Sequence, residues 1–474
     1  MTDKNQSDSN EIQYVNLYES EGKVYTRKVS GFYQHLRRYT GIPLLLGFLL
    51  MPWLVIDDRP AMLFDIAERK YHILFVTFWP QDFMLLAWVL IIAAFALFTA
   101  TVTVGRIWCG FTCPQTVWTL MFIWVEDFCE GDRNKRIKLD KAPMSAEKVM
   151  RKGSKHALWL LIAFITGATF IGYFYPIRDL LGGFFPSFGE EGLVWNTPPA
   201  AIFWTLLFTG FTYLNAGWLR EQVCKYMCPY ARFQGVMYDQ DTVYVQYDEA
   251  RGEQRGPRKL GEDYRAKGLG DCVDCSWCVQ VCPVDIDIRD GAQYECINCG
   301  LCVDACDSIM DKMNYPKGLI RFTSEDALKT GSTHFLRPRL FGYLAIVLAM
   351  AGLLAYTIYN RSPLGVDVLR DRGAQMYRLQ GKEVQNVYTI KINNMDRKAH
   401  RYTITLSGDL PYSLKNYREL TIDEGEIFTL PIRVVAPKKA MTSEKHELTV
   451  TLTAEDDPTI TDSETTVFIG PAKR

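Results

Sequence analysis

The chain has 474 residues, and its 53 Lys and Arg nearly balance its 54 Asp and Glu. This balance excludes a nucleic-acid partner recognised by bulk basic charge, and the 48% apolar content excludes wholesale disorder. The length predicts about two to four structural units.

Five apolar segments are long enough to cross a membrane as helices, which takes about 20 residues. They are Tyr39–Ile56, Phe83–Val104, His156–Tyr175, Ala200–Trp218 and Leu340–Tyr359. The first contains Pro43 and Pro52, so it predicts a kinked or tilted span, and a buried soluble helix is the alternative.

The distribution of Lys and Arg between these spans predicts their orientation. Segments 1–38, 105–155 and 219–339 hold 6, 10 and 16 of these residues, whereas 57–82 and 176–199 hold 3 and 1. The positive-inside rule therefore places segments 1–38, 105–155 and 219–339 in the cytoplasm. Because the polar residues 1–30 lack the apolar core of a signal peptide, we expect a cytoplasmic amino terminus. The carboxyl-terminal segment is then periplasmic, in a multi-pass protein of a bacterial inner membrane.

Two related motifs follow the second and fourth spans. They place Cys109 and Cys113 after one span, and Cys224 and Cys228 after the other, with a proline behind the second cysteine of each pair. Each helical hairpin thus delivers one C-x3-C-P motif to the cytoplasmic face. Residues before proline avoid the helical conformation, so we predict Cys113 and Cys228 at turns, with each proline opening the next helix.

The surroundings of these four cysteines predict metal or redox chemistry. Helix amino termini and the nearby cations Arg106, Arg220 and Lys225 predict lowered thiol pKa values. If the hairpins pack side by side, four sulfurs converge and suit Cu(I), zinc or a further cluster. The alternative is four inert buried thiols. Cys129 stands alone among acidic neighbours, and we predict no role for it.

Eight further cysteines form two C-x2-C-x2-C-x3-C runs. The runs are Cys272, Cys275, Cys278 and Cys282, then Cys296, Cys299, Cys302 and Cys306. This spacing is typical of ferredoxins with two [4Fe–4S] clusters, in which the fourth cysteine of each run ligates the other cluster. The predicted ligand sets are Cys272, Cys275, Cys278 and Cys306 for one cluster, and Cys296, Cys299, Cys302 and Cys282 for the other. Paired zinc sites are the alternative, but zinc motifs usually lack the third close cysteine.

The charge around these runs predicts the direction of electron flow. Residues 271–311 carry nine Asp and Glu against one Arg. A negative field disfavours the addition of an electron and lowers cluster potentials, so we predict clusters that act as donors. Asp307 follows Cys306 where the usual motif has proline, which alters the local turn.

Alternating apolar residues in the last segment predict at least five short strands and an immunoglobulin-like sandwich. The patterns are Tyr388/Ile390/Ile392, Tyr402/Ile404/Leu406, Leu430/Ile432/Val434, Leu448/Val450/Leu452 and Val467/Ile469. Predicted turns lie at Asn393-Asn394, 407–409 and 455–458. Because the segment has no Cys and only two His, we predict a structural or docking role for it.

The predicted fold class is a polytopic α-helical membrane protein with five spans, a cytoplasmic two-cluster ferredoxin-like insert and a C-terminal all-β immunoglobulin-like sandwich. Its predicted parts are a tail (1–38), a four-span membrane domain (39–238), linkers (239–270 and 312–339), a ferredoxin-like domain (271–311), a fifth helix (340–359) and a β-domain (360–474). The chain lacks recognisable motifs for NAD, flavin or ATP. Electrons are therefore expected from another protein, from quinol or from a small reductant.

In this order, the spans, the C-x3-C-P motifs, the eight-cysteine insert and the sandwich resemble the FixG/RdxA/CcoG cytochrome c oxidase accessory proteins over essentially the whole chain. The tract Tyr247–Gly256 is similar to a characteristic stretch of that family. The resemblance implies a role in assembling a cbb3-type oxidase and an activity that reduces Cu(II) to Cu(I). It makes copper the substrate and Cys109, Cys113, Cys224 and Cys228 the candidate site. The implied partners are the membrane, the oxidase or its copper-delivery factors, and an unidentified electron donor, while homo-oligomer formation stays open.

Two other functions compete with this one. The chain also resembles the quinol-linked polyferredoxins of nitrate and nitrous oxide respiration, which carry C-x3-C-P motifs too. A second alternative is an assembly scaffold or copper carrier in which the clusters are structural and the β-domain docks a partner.

Overall fold

The computed structural model describes residues 23–56, 59–67, 69–79, 82–184, 197–360, 362–371, 377–396, 398–415 and 420–471, and the backbone alone of 187–189 and 192–194. The chain divides into two compact units, Met1–Met350 and Ala351–Arg474.

The first unit is mainly helical. The α-helices, the last of which continues into the second unit, are α1 (Phe32–Leu50), α2 (Phe83–Val104), α3 (Ile107–Phe111), α4 (Pro114–Glu130), α5 (Arg133–Lys141), α6 (Ala146–Gly172), α7 (Ile177–Phe184), α8 (Pro199–Thr212), α9 (Pro229–Met237), α10 (Glu249–Gly252), α11 (Trp277–Gln280), α12 (Leu301–Met313), α13 (Glu325–Thr330) and α14 (Pro338–Tyr359). Two π-helical segments, Tyr213–Leu219 and Val223–Met227, follow α8.

Short antiparallel strands accompany these helices. They are β1 (Val55–Ile56), β2 (Arg59–Pro60), β3 (Met62–Asp65), β4 (Lys70–Ile73), β5 (Val76–Phe78), β6 (Ser187–Gly189), β7 (Gly192–Val194), β8 (Tyr244–Tyr247) and β9 (Ile320–Thr323). β8 pairs with β9 on either side of the cysteine-rich segment, so the two ends of that segment are held together.

Three helices among the described residues are long and apolar enough to cross a membrane, namely α2, α6 and α14. They coincide with the second, third and fifth predicted spans, although α6 begins at Ala146, before the predicted His156. The first predicted span corresponds to α1, which begins inside the predicted tail and contains Pro43. The fourth corresponds to α8, which has 14 residues and continues as a π-helix. The number of five spans therefore stays a prediction.

A buried carboxylate ties several helices of the first unit together. Glu126 on α4 is fully buried and lies 3.0 Å from Arg136, 2.9 Å from Arg220 and 3.7 Å from Lys155. Lys23 lies 3.4 Å from the same side chain. Burial by itself raises the pKa of Glu126, but these four cations lower it to about 2. Glu126 thus stays ionised and links α4 to α5, to α6 and to the segment that leads to the second C-x3-C-P motif.

The first turn of α1 is anchored on the cysteine-bearing helix α12. Asp304 of α12 accepts hydrogen bonds from the backbone N–H groups of Tyr33 at 3.1 Å and Gln34 at 2.8 Å. These N–H groups have no partner inside their own helix, and a carboxylate there also complements the helix dipole. The contact joins residues about 270 positions apart and fixes α1 against the predicted ferredoxin-like domain of residues 271–311, the dicluster segment.

The second unit contains a sandwich of two antiparallel sheets. One sheet has the order β10-β12-β16-β14, with β11 paired to β12, and the other has the order β15-β13-β17-β18. The strands are β10 (Leu364–Arg370), β11 (Arg378–Gln380), β12 (Glu383–Asn394), β13 (His400–Gly408), β14 (Ser413–Lys415), β15 (Leu420–Ile422), β16 (Ile427–Pro437), β17 (Lys445–Ala454) and β18 (Thr461–Ile469). The five predicted patterns lie on β12, β13, β16, β17 and β18, and residues of both sheets form one apolar core.

The structure corrects two details of this domain. In β18 the buried side chain is Phe468, at 0% exposure, whereas Val467 is 41% exposed, so the core face is the opposite of the predicted one. Asn393 and Asn394 lie inside β12 rather than in a turn. The buried amide of Asn394 donates to the backbone carbonyl of Ile422 at 3.1 Å, which links β12 to β15 of the other sheet.

Candidate functional site

Two small cavities in the dicluster segment are each lined by four of the predicted cysteines. One is lined by Cys272, Cys275, Cys278 and Cys306. The other is lined by Cys282, Cys296, Cys299 and Cys302, and Cys278 also reaches it. Their empty volumes are nearly equal, about 360 and about 350 Å³. Four soft sulfur donors around each of two equal, mostly apolar cavities fit two copies of a cubane cluster, and the grouping supports the predicted exchange of the fourth ligands.

Burial raises the thiol pKa of five of these cysteines, Cys278, Cys282, Cys296, Cys302 and Cys306. It raises the pKa of Cys278 and Cys282 to about 12 and that of Cys296 to about 11. As free thiols these groups are therefore neutral at pH 7, and ligation by iron removes their protons outright.

The one arginine of the predicted cluster domain lies at the first cavity. Arg289 lines that cavity and pairs with Asp274 and Asp287, both at 2.6 Å. Arg289 therefore neutralises part of the negative charge of residues 271–311 beside the cavity of Cys272, Cys275, Cys278 and Cys306.

The two C-x3-C-P motifs end in the same kind of turn, although the first follows an α-helix and the second a π-helix. The N–H of Cys113 donates to the carbonyl of Trp108 at 2.9 Å, and the N–H of Cys228 donates to that of Val223 at 2.8 Å. Each bond spans five residues. Both cysteines have extended ψ angles, 128° and 109°, and the following prolines open α4 and α9, which confirms the predicted turns.

The turn before each motif is also equivalent. Gly105 and Arg220 each lie four residues before the first cysteine of their motif, and their φ angles are positive, 59° and 40°. Each ends the preceding helical segment. The duplication inferred from the cysteine spacing therefore extends to the backbone of both hairpins.

The four motif cysteines lie close enough for their charges to interact, and the pKa values of two of them correct the sequence-based expectation. Burial raises the pKa of Cys109 to about 12, and Cys113, Cys224 and Cys228 lie close enough to raise it further by their charges. Burial likewise raises the pKa of Cys224 to about 12. Arg106 opposes both shifts, but desolvation is the larger effect. The predicted lowering is wrong for these two thiols.

The first motif packs against the wall of the second cluster cavity. Cys109 joins the apolar cluster that contains Val284, Ile297 and Leu301, all of which line that cavity. Arg106 donates hydrogen bonds to the backbone carbonyls of Tyr294 and Cys296. The candidate copper site and the candidate cluster site are therefore in direct contact.

Two buried polar residues outside the cysteine motifs, which the cysteine spacing did not indicate, form hydrogen bonds around this site. Gln234 on α9 is fully buried, accepts from the Cys109 Sγ at 3.3 Å and donates through Nε2 to Thr101 at 3.1 Å. Asn298 is also buried, and its Oδ1 accepts from the backbone N–H of Val245 at 3.3 Å. Neither belongs to a motif. Only their tertiary neighbours reveal them.

The close approach at Gly110 gives a first prediction. A Cβ at this position would lie 2.7 Å from the carbonyl oxygen of Asn298 and 2.8 Å from that of Ile297. Because backbone atoms cannot move aside cheaply, we expect Gly110→Ala to destabilise the protein by about 1–3 kcal/mol and to lower its iron content. Denaturant unfolding and iron analysis measure both effects.

Gly153→Ala is the matched control, because Gly153 lies in α6 with no atom within 4 Å of its added Cβ. Helix propensity should make this variant neutral or more stable by up to about 1 kcal/mol. Equal stability of the two alanine variants would contradict the tight contact.

Comparisons with known proteins agree with this architecture. Residues 219–325 match the model of a 4Fe-4S dicluster domain, and residues 354–471 match the "IG-like fold at C-terminal of FixG, putative oxidoreductase". Protein RdxB of Cereibacter sphaeroides is 36% identical over 466 residues, covering 94% of this chain and 96% of that protein. Nitrogen fixation protein FixG of Rhizobium meliloti is 34% identical over 429 residues, covering 83% and 80%.

Two further proteins are similar to this chain. Protein RdxA of Cereibacter sphaeroides is 34% identical over 406 residues, covering 83% of this chain and 84% of that protein. A crystal structure of a FixG-related protein from Vibrio parahaemolyticus is 27% identical, covers 23% of this chain and 97% of that chain, and has a TM-score of 0.21. The chain belongs to the FixG/RdxA family, and with its 4Fe-4S dicluster domain it is an iron–sulfur electron-transfer protein.

Proposed function

We propose that the protein reduces Cu(II) to Cu(I) at Cys109, Cys113, Cys224 and Cys228. One observation carries this proposal. The four motif cysteines lie close enough for their charges to interact, and Cys109 packs against the wall of the cavity lined by Cys282, Cys296, Cys299 and Cys302. Metal held by the four motif cysteines would therefore lie beside a source of electrons.

The chemistry of the donor atoms supports copper as the substrate. Thiolates are soft ligands that hold Cu(I) well, so four of them favour the reduced product. Two [4Fe–4S] clusters held by the eight cluster-domain cysteines would supply one electron each, which matches the one electron needed to reduce each Cu(II) ion to Cu(I). The eight cluster-domain cysteines would hold the clusters, while Gln234 fixes the position of the Cys109 sulfur.

The cellular setting follows from charge and resemblance. We propose a multi-pass protein of the inner membrane with the dicluster domain in the cytoplasm and the β-domain in the periplasm, in line with the Lys and Arg distribution. The Cu(I) would serve the assembly of a cbb3-type cytochrome c oxidase, as the family resemblance implies. The β-domain is then the candidate docking surface for a partner.

The test replaces all four motif cysteines by serine in anaerobically purified protein. We expect a loss of about 100-fold or more in the rate of Cu(I) capture by a specific chelator, because even changes outside the ligand sphere cost about 10–100-fold in metal affinity. The variant should retain about eight irons, four per cluster.

Cys129→Ser serves as the control, because Cys129 packs against the helical core around Phe122 and Trp159 and away from the motif cysteines. An unchanged rate in the quadruple variant, with full iron content, would sink the assignment of the site. Cu(I) formation absent from every sample would instead favour the scaffold or the quinol-linked polyferredoxin.

A further inference from the structure

A third, much larger cavity lies between α1, α4 and the dicluster segment. Its empty volume is about 2260 Å³ including its mouth. One side is apolar and is formed by Ile42, Leu45, Leu120, Met121 and Trp124 of α1 and α4. Ile42 and Trp124 are 52% and 60% exposed, so this apolar side reaches the outer surface of the helices. Because α1 contains most of the first predicted span, an apolar tail would enter here along α1, at the edge of the lipid phase.

The other side of the cavity carries buried polar groups that lack partners. Gln34 and Arg37 of α1 line the cavity and are only 8% and 4% exposed. Within the part of the chain that the structure describes, Gln34 Oε1 and Arg37 Nη1 have no hydrogen-bond partner. Both residues are otherwise anchored, because the Gln34 N–H donates to Asp304 at 2.8 Å and the Arg37 Nε donates to the Gly110 carbonyl at 3.0 Å. Two residues in the wall of the cavity thus carry one buried acceptor and one buried donor without a partner.

This cavity borders both candidate redox sites. Val284, Ile297 and Leu301 line it and also line the cavity of Cys282, Cys296, Cys299 and Cys302. Cys224 of the second C-x3-C-P motif lines it as well. A ligand held there would be separated from the candidate cluster site by a single layer of side chains.

We propose that this cavity binds a membrane quinol, with a ring hydroxyl held by Gln34 and Arg37 and the apolar tail lying along α1 and α4. A hydroxyl both donates and accepts a hydrogen bond, so it satisfies both unpaired atoms. A lipid phosphate only accepts, so it would leave Gln34 Oε1 unpaired.

This inference rests on the proposed function, for which it names the class of reductant. Oxidation of one quinol to the quinone breaks two O–H bonds and releases two protons and two electrons, one electron for each of two clusters. Asp127 and Glu221 also line the cavity and are carboxylate acceptors for the protons.

The experiment uses the iron-loaded full chain and a photoreactive azido-ubiquinone as the probe, with decyl-ubiquinone as the competitor. We expect crosslinks on peptides of α1 and α4, and decyl-ubiquinone should displace the probe from them.

Three variants test the site. Leu120→Trp fills the apolar side of the cavity, and overpacking of this kind should weaken probe binding about tenfold or more. Gln34→Leu removes the unpaired acceptor and should also weaken binding. Leu90→Trp, at a 61% exposed position of α2, is the matched control and should bind as wild type.

Three results would overturn the inference: no displaceable crosslink in wild type, equal binding by Leu120→Trp and Leu90→Trp, or displacement of the probe by phosphatidylglycerol with no effect of Gln34→Leu. The last result would identify a lipid site. Cu(I) formation by chemically reduced wild type is scored separately on the same preparation. Probe binding without Cu(I) formation contradicts the proposed function, whereas Cu(I) formation without probe binding contradicts only the quinol site.

Discussion

Cys272→Ser and Cys306→Ser should each remove the same cluster, so the double variant should still hold about four of the eight irons expected for two [4Fe–4S] clusters. The reason is that these two cysteines line one cavity although 34 positions separate them. In contrast, Cys272→Ser combined with Cys282→Ser should abolish both clusters, because Cys282 lines the other cavity. Iron analysis and electron paramagnetic resonance of the reduced variants measure both outcomes.

The iron content of the two double variants distinguishes the two possible ligand assignments. If each run held its own cluster, Cys272 and Cys282 would act on the same cluster, and their combination would leave about four irons. That pattern, with near-complete loss of iron in the Cys272/Cys306 double variant, would refute the exchange of ligands between the two runs.

Glu126→Gln should destabilise the protein by roughly 3–5 kcal/mol, because it leaves buried cations without their counter-charge. Arg136 and Arg220 lie 3.0 and 2.9 Å from this carboxylate, and Lys155 is also buried. Denaturant unfolding of the purified protein measures the change. Glu147→Gln is the control, since Glu147 is exposed and pairs with Arg151 on the surface of α6, where a pair contributes at most about 1 kcal/mol.

The pH dependence of this contribution has a defined sign. The pKa of Glu126 is lowered from 4.5 to about 2, so its stabilisation is present above the ordinary value and is lost as the pH falls through about 2. Between pH 8 and pH 5 the stability difference between wild type and Glu126→Gln should stay constant. A difference that shrinks over this range, or equal destabilisation by Glu147→Gln, would show that the buried carboxylate does not hold these helices together.

Local sequence patterns predicted the parts of the molecule that depend on spacing. The turns at Cys113 and Cys228 and the strands β12, β13, β16 and β17 follow from periodicity or from the effect of proline, whereas the division of the eight cysteines between two clusters stays a prediction. Spacing carries this information because cysteine ligands and strand faces repeat at fixed intervals along the chain.

What the sequence did not predict depends on contacts between distant residues. The amino-terminal turn of α1 lies within the predicted tail because Asp304, far along the chain, caps it. The thiols of Cys109 and Cys224 have raised rather than lowered pKa values because tertiary burial outweighs Arg106. The cavity with Gln34 and Arg37 was missed for the same reason, since neither residue belongs to a motif.

The most direct test of the proposed function follows one turnover of the wild-type protein. Anaerobic protein with about eight irons is chemically reduced, freed of reductant and mixed with Cu(II) while cluster absorbance and chelated Cu(I) are recorded together. The proposed function predicts that both signals change at the same rate, and that two oxidised clusters yield two Cu(I) per chain. Clusters that stay reduced in the presence of Cu(II), or Cu(I) that appears without cluster oxidation, would contradict it.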